Sequence, residues 1–335
     1  VKNGTLNLTS GELSDHDPEH LCSRLSRIEY RDAECPTWFN FVERIQPDPE
    51  VRKFLQRAVG YSLTGETGEQ CLFFAHGAGR NGKSVFLETV GALLGDFAAA
   101  SSMNAFELKK GAIPNDIARL AGARLVTVSE TADGQRMNEA LIKDLTGGDT
   151  ITARFLRREF FEFRPEFKLW IRGNHKPQIR GTDEGIWRRI HLIRFEEYIT
   201  DDEVDPHLLE KLKRELPGIL KWATDGCIEW QRNGLQPPEV VVSATSEYRR
   251  EMDSLADFIE TCTLPGGEVQ ATPLYQRYKD WAAASGFRPM NQTTFGLRLA
   301  ERGIKKDKRG VVKYRGIQLP SECLHCAGEG CNWCQ

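Results

Sequence analysis

The chain has 335 residues, 40% of them hydrophobic, with 45 Lys/Arg against 48 Asp/Glu and a formal net charge of −3. That length supports a substantial core and about two or three modules at roughly 100–200 residues each. No apolar run reaches the roughly 20 residues of a membrane-spanning helix, and the opening VKNGTLNLTSGEL lacks the apolar segment of a signal peptide, so a cytoplasmic setting is the default expectation.

Nine cysteines fall into five scattered ones (Cys22, Cys35, Cys71, Cys227, Cys262) and four in the last 13 residues, a distribution unlike a secreted disulfide framework. The charge is uneven. Residues 151–194 carry 11 Lys/Arg against 5 Asp/Glu, a local +6 that leaves −9 for the rest. A basic band in an acidic protein points to one polyanion-facing surface.

In chain order, residues 1–35 alternate weakly around Asn3-Gly4 and Ser10-Gly11 and read as a short hairpin or the tail end of an upstream region; Val at position 1 reads as a cut or unusual start. Residues 36–69 hold two helical segments, WFNFVERI and VRKFLQRAVGYSL, introduced by Pro36-Thr37 and Pro49. Residues 70–200 switch to buried-strand runs, LFFAHG, RLVTVSE, KLWIRGN and RRIHLIRF, which define an α/β core. Within it, an amphipathic helix around Met137, Leu141 and Leu145 precedes TGGD and a β-hairpin, ITARFL and FFEF, with a charged tip at Arg157-Arg158-Glu159. Residues 201–244 are a helical extension ending in LQPPEVVV, which reads as a linker. Residues 245–319 give two helices, LYQRYKDWAAASG and QTTFGLRLAERG, then a basic strand–turn–strand, an order like that of a winged helix. Residues 320–335 form a cysteine-rich tail.

Between the first strand and a helix lies Gly77-Ala78-Gly79-Arg80-Asn81-Gly82-Lys83-Ser84, followed by Val85, which fits G-x-x-x-x-G-K-[ST] in the strand–loop–helix context the motif requires. Glycines let backbone N–H groups turn toward phosphate oxygens. Lys83 supplies charge at the β/γ-phosphates, and the Ser84 hydroxyl can hold Mg²⁺. Hydrolysis needs a carboxylate at a neighbouring strand end; Glu130, closing RLVTVSE, is placed to polarise the attacking water, with a surface glutamate as the plain alternative. Ser129 stands where many such ATPases carry Asp, so metal contact there runs through water. Asn174, after KLWIRG, is either a water-positioning group or an ordinary turn former. Arg188 and Arg189 read either as a finger for a neighbouring subunit's site or as a surface pair.

GAGRNGKS, VSE, IKDLTGGDTITARFL with FFEFRPEFKLWIRGNHKP, and GIWRRIHLIRF, in that order, resemble the superfamily-3 helicase domain of phage and plasmid primase-helicases, a group that includes the poxvirus primase-helicase. The likeness extends over about residues 1–319. It implies a P-loop NTPase of modified AAA+ type that assembles as a homo-hexamer around DNA, using ATP and Mg²⁺. It further implies Lys83 and Ser84 as the Walker A pair, Glu130 as the Walker B acid, Asn174 as the γ-phosphate sensor and Arg188 or Arg189 as the arginine finger. The hairpin becomes a DNA-backbone element with Arg154, Arg157 and Arg158 as contacts. Lys143, in IKDLTGGD, serves nucleotide or DNA. Solvation of an exposed turn is the plain alternative for the hairpin arginines. Lys305, Lys306, Lys308, Arg309, Lys313 and Arg315 of the winged module either grip duplex DNA or pack against the ATPase. Such primase-helicases carry an upstream polymerising domain, which the 35 leading residues do not contain, so the chain reads as the helicase half and a primase domain or protein as a partner.

In the tail, Cys323, Cys326, Cys331 and Cys334 are spaced C-x2-C-x4-C-x2-C, a ligand set suited to one structural Zn²⁺, with a reducible tail as the alternative; CLHCAGEG also resembles the C-x-x-C-x-G-x-G unit of chaperone-type zinc modules. The reading that follows is an ATP-dependent DNA helicase of a phage, plasmid or integrated element. Its rivals are a DNA-bound ATPase switch or loader that does not unwind, and a small-molecule kinase with the same loop.

Overall fold

A computed structural model describes residues 1–107, 115–129, 134–179, 181, 183–287, 289–308 and 310–320. Glu130, Arg309 and the four tail cysteines lie outside the described residues. The chain divides into two compact units, Val1–Tyr248 and Arg249–Gln335.

The first unit opens with a hairpin of β1 (Thr5–Leu6) and β2 (Leu13–Ser14). Helix α1 (Pro36–Ile45) buries Trp38, Phe41, Val42 and Ile45, one stripe at helical spacing, and Pro36 sits in the first turn, where a missing N–H costs nothing. The Thr37 and Trp38 amides donate to the Glu215 carboxylate at 3.1 and 2.9 Å, so a distant residue caps this helix. In α2 (Pro49–Ser62) the Asp48 side chain accepts from the Glu50 amide.

Strand β3 (Leu72–His76) is almost wholly buried, as the centre of a parallel sheet requires. It leads through the glycine loop to α3 (Lys83–Leu94) and then β4 (Ala98–Ser102). Helix α4 (Asn115–Ala118), β5 (Leu125–Ser129), α5 (Glu139–Gly147), the antiparallel hairpin β6 (Ile151–Ala153) and β7 (Phe161–Phe163), β8 (Lys168–Gly173), α6 (Glu184–Trp187) and β9 (Ile190–Arg194) follow. The sheet order is β4-β5-β8-β3-β9, all neighbours parallel. Helices α7 (Leu208–Arg214), α8 (Leu216–Asn233) and α9 (Glu239–Glu251) complete the described elements of this part of the chain. The residues of LQPPEVVV that read as linker enter α9 from Glu239 onward. Thr245 of this helix accepts from the Leu192 amide at 3.0 Å and donates to the Ile190 carbonyl at 3.3 Å, so α9 occupies the outer side of β9.

Aromatic packing joins the sheet to the lead-in helices: Trp170 stacks on Phe73 at 4.4 Å and donates to Ser62 Oγ at 3.0 Å, while Trp38 lies 5.5 Å from Phe86. Lys168, 1% exposed at the foot of β8, donates to the carbonyls of Thr64, Glu66 (3.1 Å) and Glu166 (3.0 Å), and its Nζ sits 4.8 Å from the Tyr61 ring centroid. Burial, and then the nearby Arg124 charge, push this ammonium down to about 7; the three carbonyls pull the other way by holding its protons.

In the second unit, α10 (Ser254–Cys262), β10 (Leu264–Gln270), α11 (Ala271–Ala284), α12 (Gln292–Glu301), β11 (Lys305–Asp307) and β12 (Lys313–Gln318) enclose Leu255, Phe258, Leu274, Tyr278, Phe295, Leu299, Tyr314 and Ile317. The sheet is antiparallel in the order β10-β12-β11. The two helices and the basic strand–turn–strand of the sequence reading correspond to α11, α12, β11 and β12; α10 and β10, which that reading did not include, precede them. Among the described residues no helix is long and apolar enough to cross a membrane.

Candidate active site

The loop Gly77–Gly82 leaves the C-terminal end of β3, the central strand flanked by β8 and β9. Its shape depends on glycine at two points. A Cβ at Gly77 would stand 2.2 Å from the Phe195 carbonyl oxygen, and one at Gly82, where φ is +79°, would stand 2.5 Å from Ile45 Cγ2. Asn81, buried, ties the loop down by donating to the Phe195 carbonyl at 2.8 Å. The first backbone bond of α3 runs from the Phe86 amide to the Gly82 carbonyl at 2.9 Å, so the amides of Lys83, Ser84 and Val85 belong to the uncommitted first turn, a cluster of donors with partial positive charge.

Lys83 is 6% exposed. Its Nζ donates to the Gly77 carbonyl and Asn81 Oδ1, both at 2.8 Å, and to Asn174 Oδ1 at 3.4 Å. Burial, then the Arg172 charge, lower its pKa to about 8. Asn174 follows β8, the strand between β3 and β5, so it stands between the loop and Ser129 at the end of β5. At about 4.8 Å per strand the β5 end lies about 10 Å across from β3, room for a phosphate, a cation and a water. Glu130, the next residue, is outside the described residues.

The loop opens into a cleft of about 1390 Å³ lined by Gly79–Val85, Ser102, Asn104, Ser129, Arg172 and Asn174 on one side and by Thr37, Asn40, Phe41, Ile199, Val204 and Leu208 on the other. Arg80 links the two. Its guanidinium pairs with Asp201 and donates to the Tyr198 hydroxyl at 2.9 Å, while its carbonyl accepts from the Ile199 amide at 2.8 Å. Arg44 of α1 grips Glu203 at 2.7 Å, which holds that carboxylate down at about 2.

The chain therefore brings together Gly79 through Val85, Asn174 and Ser129, but Lys143, Arg154, Arg157, Arg158, Arg188 and Arg189 do not line this cleft. Lys143 donates to Asp183 at 2.7 Å; although burial works to raise the Asp183 carboxylate, this bond and the Gly185 and Ile186 amides keep it below its usual range. Arg188 and Arg189 precede β9, whose first residue pairs with Leu72 while Arg194 pairs with His76. They lie at the opposite end of the sheet from the loop, about 13 Å of strand away. Arg189 is 7% exposed, donating to Thr146 Oγ1 at 3.1 Å and to the Gly185 carbonyl; burial, then Arg188, lower its pKa. Arg188 is exposed, with one bond to Gln70 Oε1 at 2.5 Å.

Sequence reading missed Arg172, Arg80's tether and the far wall of the cleft. Arg172 had a local signal, a charge at the last turn of a buried strand. The wall had none, since α1 and residues 199–208 meet only through the fold. Among the described residues no group of three or more His, Cys, Asp or Glu could hold a metal ion.

These features define a mixed α/β protein with a central parallel sheet and a glycine-rich loop at its C-terminal edge. Residues 1–47 match the model described as D5 N terminal like, residues 75–189 a family of unknown function (DUF5906) and residues 250–315 the model described as poxvirus D5 protein-like. The chain is 29% identical over 314 residues to the putative helicase L207/L206 of Acanthamoeba polyphaga mimivirus, covering 84% of this chain and 32% of that protein. It is 28% identical over 269 residues to the putative helicase 022R of Frog virus 3 (73% and 28% covered), and 24% identical over 302 residues to the putative primase C962R of African swine fever virus (77% and 30% covered). The apo structure of the NrS-1 C-terminal region shares the fold, with a TM-score of 0.52 at 11% identity over 88% of this chain and 78% of that one. The chain is thus similar to the D5-like primase-helicases of large DNA viruses, and it spans about a third or less of the length of the viral relatives it matches.

Proposed function

We propose that the chain is the motor part of a replication helicase of the primase-helicase class, with Gly77–Ser84 as a P-loop that holds ATP and Mg²⁺. The observation that carries this reading is Lys83 Nζ, buried beneath an uncommitted helix N-terminus and 3.4 Å from Asn174 Oδ1 at the end of the adjacent strand. That is a fixed cation facing donors that converge on one point, which suits a polyphosphate.

When bound, ATP supplies the phosphoanhydride and Mg²⁺ the countercharge. Lys83 moves from its internal acceptors to phosphate oxygen, the Lys83–Val85 amides orient the phosphates, and Ser84 offers its hydroxyl to the cation. Asn174 positions water, and Glu130 accepts its proton. In this reading Arg188, exposed at the far end of the sheet, completes a neighbouring copy's site, in a homo-hexameric ring, while Arg189 holds α5 and α6 together through Thr146 and Gly185. The basic hairpin touches DNA. The second unit, with the winged-helix order of elements, contributes duplex contacts or docking, and the four tail cysteines hold a structural Zn²⁺, checked by metal content of the purified chain.

The test is ATP hydrolysis and strand displacement on forked DNA. Wild-type protein is expected to do both, and Lys83→Ala to lose both. Hydrolysis that responds to DNA without strand displacement would replace this reading with that of an ATPase switch or loader. Phosphate transfer to a small metabolite would sink it.

A further inference from the structure

The hairpin carries more than charge. Phe155, Leu156 and Phe160 at its tip are 41, 64 and 59% exposed, three large apolar side chains within six consecutive residues. A contact to phosphate oxygens needs only cations, so arginines alone would meet that demand. The apolar groups are also held in place. The Arg158 amide donates to the Phe155 carbonyl at 3.0 Å, the Leu156 amide donates to Asn115 Oδ1 at 3.0 Å, and Arg157 adopts a left-handed φ of +62° that sharpens the turn. Phe155 stacks on Phe161 with 5.7 Å between centroids at 18°.

Register sorts the side chains onto two faces. Ile151 pairs with Phe163 and Ala153 with Phe161, which directs the next pair, Arg154 and Phe160, to the other face. There the Arg154 guanidinium carbon lies 4.7 Å from the Phe160 ring centroid. An aromatic ring backed by a cation, still mostly open to water and flanked by Arg157 and Arg158, has the composition of a platform for an unpaired base and its phosphate.

We propose that the hairpin tip binds unpaired bases of single-stranded nucleic acid by stacking, with Phe160 as the platform, Arg154 as its support and the exposed Leu156 as an adjoining apolar contact; Phe155, stacked on Phe161 on the other face, stiffens the hairpin. This rests on reading the hairpin as a nucleic-acid contact, and the experiment separates the two claims. Full-chain protein is titrated, at one ionic strength, against a labelled oligothymidylate and an abasic strand of equal length, and its assembly is followed by sedimentation with ATP. Phe160→Ala is expected to weaken oligothymidylate binding by about 5- to 100-fold and leave abasic binding unchanged, while Phe160→Tyr keeps wild-type affinity for both. If Phe160→Ala alters neither affinity and Arg157→Ala with Arg158→Ala weakens both, stacking is overturned and the backbone contact stands. If the wild type binds neither strand, both claims fall. If Phe160→Ala lowers the assembled mass and leaves both affinities intact, the tip is a contact between copies of the chain and the proposal is wrong.

Discussion

Lys83 titrates near the pH at which nucleotide would be bound. Its ammonium is the form that attracts phosphate, and burial with Arg172 brings its pKa to about 8. Raising the pH from 7 to 9 removes most of that charge, so nucleotide affinity should fall by up to about 10-fold across the interval, as measured with a fluorescent nucleotide at constant ionic strength. Arg172→Gln removes the neighbouring charge and should move the midpoint upward. Lys168 predicts a stability effect. Lys168→Met keeps the length of the side chain but leaves the carbonyls of Thr64, Glu66 and Glu166 without their donor, and should cost about 1–3 kcal/mol in denaturant unfolding. Neither effect was legible in the sequence. The motif marks Lys83 for a phosphate site, but only the fold shows that it is buried beside Arg172 and that Lys168 faces three carbonyls.

Elements were legible where a residue pattern matched a physical demand. The continuous apolar runs of β3, β5, β8 and β9 announce buried parallel strands, and the proline-led amphipathic segments announce α1 and α2. Strand β4 did not show itself, because Ala98-Ala-Ala-Ser-Ser has low strand propensity and is recruited by pairing with β5. Strand β10 was hidden by Pro265, Gly266 and Gly267, which the structure accommodates with a register shift between Pro265 and Glu268. The strand–loop–helix setting of Gly77–Ser84 was plain from spacing; that α1 and residues 199–208 wall the same cleft was not, since those contacts span more than a hundred residues. At this scale Gly82→Ala is informative. It forces a side chain into a left-handed position against the buried Ile45, so nucleotide binding should drop by more than about 10-fold and unfolding stability should fall by about 1–3 kcal/mol; α1, against which the new methyl group would press, is the wall that must yield.

At the scale of the molecule, the loop and Arg188 sit at opposite ends of one sheet, so a shared site requires two chains. The arginine pair was ambiguous in sequence, and burial separates them. Arg189→Ala should destabilise the fold by about 1–3 kcal/mol through Thr146 and Gly185, whereas Arg188→Ala should leave unfolding unchanged and abolish hydrolysis in assembled protein. Mixing Arg188→Ala with Lys83→Ala chains should recover part of the activity, because some interfaces then pair an intact loop with an intact arginine; no recovery would place Arg188 outside the reaction.

The sheet is guarded differently on its two margins. Thr245 takes up backbone groups of β9, but among the described residues no strand pairs with the outer side of β4. What that margin offers an incoming strand is hydrogen-bonding groups with only methyl and hydroxymethyl side chains beside them, little apolar area to hold a misplaced partner. The smallness of these side chains keeps the strand from becoming sticky. Ala100→Val with Ser102→Val would give the same strand a β-branched face, and such protein should scatter light during concentration where the wild type stays clear.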